Sequence, residues 1–233
     1  MPLPDKKILR KEIKARLAAV PVELLAAAGL ETARRLAGGT RGKLPGWELF
    51  RSVLVFVSLP GEIDTAPLME AVLRQKKKLF APRLIEAPGP DSAKDLAFYR
   101  VLSARGPWQA GPFGVREPPA KEDLRLGPGD FPFLALVPGL AFDRRGCRLG
   151  RGGGCYDRFF NGLDSGMGKF SAPPGGGGHF YASCGLCLEL QLAGAVPAES
   201  HDKKMDMILT ERGITLCSRE DIVKRLQEPA TEA

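Results

Sequence analysis

The stretch from Arg51 to Leu84 changes periodicity twice, and that limits what the chain can fold into. Val53 to Val57 is a short apolar run bounded by turn residues, the pattern of a strand buried on both faces. APLMEAVLRQ then carries helical spacing, and KKLFAPRL reads as a second strand. Strand, helix and strand in so short a span favour a parallel pair joined by a right-handed crossover. The polar loop between them, Ser58 to Thr65, falls at the carboxyl end of the first strand, where open α/β sheets bind ligands. Glu62 and Asp64 lie in it, although such acids also serve as caps, and Asp64 is placed to cap the helix starting near Thr65.

The flanking segments extend this pattern. Ile8, Leu9, Ile13, Leu17 and Val20 give residues 5 to 20 an apolar helical stripe opposite a basic face, and Pro21 opens a second helix that Gly38-Gly39 stops. LAFYRVLS, LALV, HFYASCGLCLEL and Met205 to Leu209 read as further strands, and Ser218 opens a closing helix through Leu226. GPWQAGPFGVREPPAKED is too rich in Gly and Pro for a helix, and its Trp108 and Phe113 could either cover a flat ligand or pin the loop to the core. No break in composition divides the chain. The expectation is a single three-layer α/β/α domain over residues 1–233, Rossmann-like, with a mostly parallel sheet. Helices cover 5–38, a mobile glycine-rich loop covers about 161–178, and the tail from 227 to 233 is frayed.

The formal charge of +7 would suit nucleic acid, a membrane surface or small anionic ligands. The basic residues are dispersed, with no long basic tail and no aromatic-basic alternation, which argues against nucleic acid. No apolar run is long enough to span a bilayer, and the N-terminus lacks a signal-peptide core, so a cytoplasmic enzyme without membrane contact is expected. Five cysteines, an odd number, argue against a disulfide framework. Cys184 and Cys187 have half a zinc-site spacing but sit in an apolar run, so they read as buried thiols.

Chemistry concentrates between Leu134 and Phe160. A buried-strand pattern stops at Pro138-Gly139, a polar loop follows, and Gly150-Arg151-Gly152-Gly153-Gly154 leads into a possible helix. Glycines let backbone amides turn inward, and a helix N-terminus adds partial positive charge, together an anion cradle. Arg148 and Arg151 could clamp phosphate oxygens, and Asp157 could hold Mg²⁺ with a second carboxylate from Asp202 or Asp206. The loop is not a P-loop, because Cys155-Tyr156 stands where Lys-Ser/Thr is required, and its spacing fails the dinucleotide fingerprint.

PGLAFDRRGCRLGRGGGCYDR, residues 138–158, closely resembles the signature of the 5-formyltetrahydrofolate cyclo-ligase family, approximately P-G-x-A-F-D-x-x-G-x-R-L-G-x-G-G-G-Y-Y-D-R. SLPGEIDT, APRL, FGVREP and HDKKMDMILTE have family counterparts in the same order, as does the opening helix around Lys6, so the likeness runs over roughly residues 5 to 217. It implies conversion of 5-formyltetrahydrofolate to 5,10-methenyltetrahydrofolate with ATP and Mg²⁺, through a phosphorylated formyl oxygen. Carried over by position, it implies ATP contacts at Lys6, Arg10 and the loop Arg148, Leu149, Gly150, Arg151, Gly152, Gly153, Gly154, Cys155 and Tyr156, with Arg148 and Arg151 acting in catalysis. It implies folate contacts at Leu59, Glu62, Asp64 and Phe113 and along Arg151 to Cys155, and Mg²⁺ held by Asp157 and Asp202. The partners implied are these small molecules, with the protein a monomer. Cys155 departs from the family's first tyrosine, and the Asp164–Gly178 stretch is longer than its usual connection. The competing readings are an ATP-independent enzyme on a similar sheet, such as a sugar-phosphate isomerase or CoA-transferase relative, and a non-enzymatic nucleotide- or nucleic-acid-binding module.

Overall fold

A computed structural model describes residues 5–38, 44–86, 94–165 and 180–217. Asp5 caps α1 (Lys6–Ala18) by accepting from the Lys7 and Ile8 amides at 2.7 and 3.1 Å. Leu9, Ile13 and Leu17, at i, i+4 and i+8, form its buried stripe. α2 (Val22–Ala37) ends at Gly38 in the left-handed conformation that closes many helices. There follow β1 (Ser52–Val55), α3 (Ala66–Arg74), β2 (Lys78–Glu86) and β3 (Lys94–Val101). A short hairpin pairs β4 (Gln109–Ala110) with β5 (Arg116–Glu117), β6 (Phe133–Val137) follows, and a second hairpin pairs β7 (Ala141–Phe142) with β8 (Arg148–Leu149). The described chain is completed by α4 (Cys155–Asp164), β9 (Tyr181–Leu186), β10 (Met207–Leu209) and β11 (Ile214–Leu216).

Seven strands form one sheet in the order β11-β10-β9-β6-β1-β2-β3. The five inner strands, β10 to β2, are parallel, whereas β3 and β11 are antiparallel edges. Two-residue alternation sorts the inner strands onto two cores. Val53 and Val55 of β1 and Leu134 and Leu136 of β6 join Leu36, Leu68 and Val72 from the α2–α3 side. Leu54, Phe133, Ala135 and Val137 join Phe160 of α4 on the opposite side. Both faces are therefore covered, and the three-layer, mostly parallel expectation holds. Among the described residues, no helix is long and apolar enough to cross a membrane.

Several boundaries differ from the sequence reading. β1 ends at Val55, so Phe56 and Val57 leave the ladder and face a cleft instead. Residues 161 to 164, expected in the mobile loop, are helical, because Phe160 and Leu163 pack α4 onto the sheet. The remainder of that loop from 166 to 178, the closing helix from Ser218 and the tail lie outside the described residues. β11 was not foreseen, since Ile214 to Leu216 is a short, half-buried edge with little pattern of its own. Cys184 and Cys187 are buried free thiols, as expected.

One contact fixes the path into the glycine stretch. A Cβ at Gly185 of β9 would lie 2.4 Å from the Phe142 ring, so the β7–β8 hairpin seats against the sheet only because that position has no side chain. Asp143, fully buried, anchors the next turn by accepting from the Arg145, Cys147 and Val196 amides at 2.9, 3.1 and 2.9 Å.

Candidate active site

A cleft of about 710 Å³ opens beyond the carboxyl ends of β1, β2 and β6, beside the start of β3. This is where a parallel sheet leaves room for a ligand, since the loops diverge from the strand ends. One wall is apolar, built from Phe56, Val57, Leu59, Pro82, Leu84, Leu96 and Val115. The other is the glycine loop with Lys6, Arg10, Arg148, Arg151, Tyr156, Asp157, Glu199 and Asp202.

The loop's geometry follows from its composition. Gly152 and Gly154 have φ of 109° and 65°, in the region that side chains strain to reach. Gly154 is also the N-cap of α4 and supplies no side-chain hydrogen bond to it, which leaves the first amides of that helix for another acceptor. Arg10 crosses from α1 and donates from Nε to the Gly150 carbonyl at 3.1 Å.

Charges on this wall meet in pairs. Arg148, with only 6% of its side chain exposed, donates from Nη2 to both oxygens of Asp157 at 2.8 Å. The Lys203 amide adds a third hydrogen bond to Asp157 at 3.1 Å. Lys6 Nζ donates to Glu199 Oε1 at 2.7 Å and Asp202 Oδ2 at 2.8 Å. Burial alone would lower the Lys6 pKa, but hydrogen bonds to the two carboxylates raise it overall. Burial likewise pushes Asp202 up, and Lys6 together with the Glu199 amide outweighs it, so its carboxyl titrates below the ordinary value. Arg151 donates to Glu62 Oε1 from Nη2 at 2.7 Å and Nε at 3.2 Å, while Glu62 Oε2 accepts from the Leu59 amide at 2.9 Å. The Tyr156 hydroxyl is buried with no partner among the described residues, and burial holds its ionisation well above the usual range, so it is a neutral phenol.

The structure brings most of the sequence-predicted residues to this one cleft: Lys6, Arg10, Leu59, Glu62, Asp202 and the whole run from Arg148 to Asp157. Asp64 is the exception. It does not line the cleft; its carboxylate accepts from the Ala66 amide at 3.0 Å in the turn that leads into α3, whose N-cap is Thr65. Phe113 lies on the 3₁₀ turn Pro112–Gly114, and its side chain falls outside the described part. Sequence reasoning missed Glu117, Arg158, Asn161, Glu199 and His201, all on the cleft wall. For Glu117 the sequence carries a signal, since it lies in the same FGVREP stretch as Phe113.

Among the described residues no cluster of three or more His, Cys, Asp or Glu could cage a metal ion. A Mg²⁺ ion carried with phosphates needs only one or two carboxylates, the rest being waters and phosphate oxygens. Asp157 and Asp202 supply that number of carboxylates on the cleft lining, each engaged by a protein cation. Asp202 together with Glu199 already holds a cation, the Lys6 ammonium.

Comparison with known proteins decides the family. The sequence profile described as the 5-formyltetrahydrofolate cyclo-ligase family matches residues 3–211. The chain belongs to this family. A 5-formyltetrahydrofolate cyclo-ligase of Saccharomyces cerevisiae is 27% identical over 220 residues, covering 89% of this chain and 96% of its own. The one from Mycolicibacterium smegmatis is 31% identical over 182 residues, covering 75% and 81%. The solved structure of Aquifex aeolicus 5,10-methenyltetrahydrofolate synthetase superposes with a TM-score of 0.68 at 26% identity, covering 91% of this chain and 92% of that one. Cys155 Sγ donates to the Lys94 carbonyl at 3.1 Å, joining the loop to β3.

Proposed function

We propose that this protein catalyses ATP- and Mg²⁺-dependent cyclisation of 5-formyltetrahydrofolate to 5,10-methenyltetrahydrofolate, releasing ADP and phosphate. The observation that carries the reading is a single cleft with one anion-cradling wall and one apolar wall. Nucleotide phosphates suit the first and a flat pterin the second. The formyl oxygen is a poor leaving group. Its attack on the γ-phosphorus of ATP expels ADP and leaves an iminium phosphate. N10 then adds to the formyl carbon and loses its proton, and phosphate departs as the ring closes.

The protein's part in this scheme is positioning and charge compensation. The glycine-loop amides, Arg148 and Arg151 take up phosphoryl charge, with Lys6 and Arg10 closing over the nucleotide from α1. Asp157 and Asp202 would hold Mg²⁺, whose charge would offset that of the phosphates. Leu59, Glu62 and the run from Arg151 to Cys155 face the folate. The neutral Tyr156 phenol is a donor beside the loop. The enzyme is read as a cytoplasmic monomer. The test is product formation from 5-formyltetrahydrofolate with ATP, with and without Mg²⁺. Absence of methenyltetrahydrofolate, or turnover without ATP, would overturn the proposal.

A further inference from the structure

Glu117 is a carboxylate on the cleft wall with no role in the scheme above. Its side chain is 3% exposed. Oε1 accepts from the Leu84 amide at 2.9 Å. Among the described residues the recorded cation beside Oε2 is Arg83, whose Nε lies at 3.7 Å, beyond hydrogen-bond range. Arg83 is committed elsewhere: its Nη1 donates to Gln109 Oε1 and the Pro118 carbonyl, each at 2.9 Å. The fold makes room for this carboxylate, since a Cβ at Gly111 would come within 2.4 Å of Glu117 Cδ. A charge this far from water with one direct hydrogen bond is costly unless a further donor completes it. Leu84 and Val115, which line the cleft beside it, have apolar side chains with no donor to offer, which leaves the open cleft as the side from which a ligand could supply one.

We propose that Glu117 recognises the 2-amino-4-oxopyrimidine edge of the pterin, taking the N3–H and one 2-amino hydrogen as a fork. A carboxylate is the acceptor that matches two parallel N–H donors, and such charge-assisted pairs are stronger than neutral ones. This inference rests on the folate reading above and makes Glu117 a specificity residue for the same reaction.

Glu117→Gln tests it. The amide keeps a carbonyl for the Leu84 amide and the same volume, but turns a donor toward the pterin's donors. The KM for 5-formyltetrahydrofolate is expected to rise by about tenfold to a hundredfold, with the KM for ATP and the melting temperature unchanged. A purely structural role would instead lower the melting temperature and raise both KM values together. The second arm uses the 2-desamino-2-methyl analogue of the substrate. Wild type should discriminate against it, and Glu117→Gln should lose most of that discrimination, a non-additive cycle. An unchanged KM in Glu117→Gln, or strictly additive losses, overturns the inference while normal wild-type turnover leaves the folate reading standing. If the variant misfolds, wild-type indifference to the analogue overturns it. A wild-type enzyme that neither binds nor turns over 5-formyltetrahydrofolate overturns the folate reading, and this inference with it.

Discussion

The two walls of the cleft are assembled in opposite ways. On the apolar wall Pro82, Leu84 and Leu96 are set by strand register, with Leu84 of β2 opposite Leu96 of β3, and Phe56, Val57, Leu59 and Val115 come from the loops beside those strands. On the polar wall, apart from Arg148 and Asp157, the charges meet across long stretches of sequence. Lys6 reaches Glu199 and Asp202 over 193 and 196 residues, and Arg151 reaches Glu62 over 89. The polar wall is self-neutralised, so an incoming nucleotide must exchange protein pairs for ligand pairs. This suits a group-transfer site, because binding energy is spent on rearranging charge. It also means that mutations on the two walls should differ in kind.

The largest break should come at Asp157. Asp157→Ala leaves Arg148 buried without its carboxylate, which costs about 3–5 kcal/mol of stability, and turnover should fall by at least about a hundredfold. Asp157→Asn separates the two effects, since its carbonyl still accepts from Arg148. It should recover much of the melting temperature but not the turnover. Near-normal turnover of either variant at saturating Mg²⁺ would remove Asp157 as a metal ligand.

The glycine loop sharpens the contrast within a few residues. Gly152, at φ of 109°, has no atom within 4 Å of where a Cβ would sit, so Gly152→Ala is strained by its backbone and not by crowding. About 1–2 kcal/mol of lost stability or local loop distortion is expected. Gly153 has neither positive φ nor a close neighbour except Cys155 Sγ at 3.5 Å, and Gly153→Ala should fold like wild type. Equal unfolding midpoints for the two variants would contradict the conformational account.

The sheet was more legible in the sequence than the site's wiring, and for a physical reason. Val53 to Val55, APLMEAVLRQ and KKLFAPRL announce themselves by local period, because each strand or helix buries a face its own sequence defines. The glycine run was legible too, since its need for inward amides is local. The Arg148–Asp157 and Lys6–Asp202 pairs were not. Arg148 read as a free phosphate clamp, and only the fold shows it held by the aspartate expected to bind the metal. Asp64 and Glu62 look alike in sequence, yet one bonds the Ala66 amide ahead of α3 and the other faces the cleft, which depends on how the loop turns after β1.

A smaller effect is expected at Lys6. Lys6→Met keeps most of the aliphatic stem on α1 but removes the ammonium from Glu199 and Asp202. The KM for ATP should rise several-fold while that for the folate stays put, because only the polar wall changes. A matching rise in both would mean that α1 organises the whole cleft.

The smallest effect should be a pH dependence of the α1 contact. Asp202 is depressed in the folded protein, mainly against its own burial, by Lys6 and the Glu199 amide. A depressed carboxylate contributes stability that is fully present above its unfolded pKa, about 3.9, and is lost as pH falls through the folded value. Lys6 is raised, so its contribution is full below about 10.4 and is lost as pH rises through its folded value. The pair therefore holds α1 across the neutral range and releases it in acid. Amide exchange in α1, followed from neutral pH downward and corrected for intrinsic rates, should accelerate in wild type below the ordinary carboxylate pKa. In Lys6→Met the same helix should already exchange faster at neutral pH and show a shallower acid response. Parallel curves would mean that the apolar stripe of Leu9, Ile13 and Leu17 holds α1 by itself, and that the polar wall closes without the Lys6 contact.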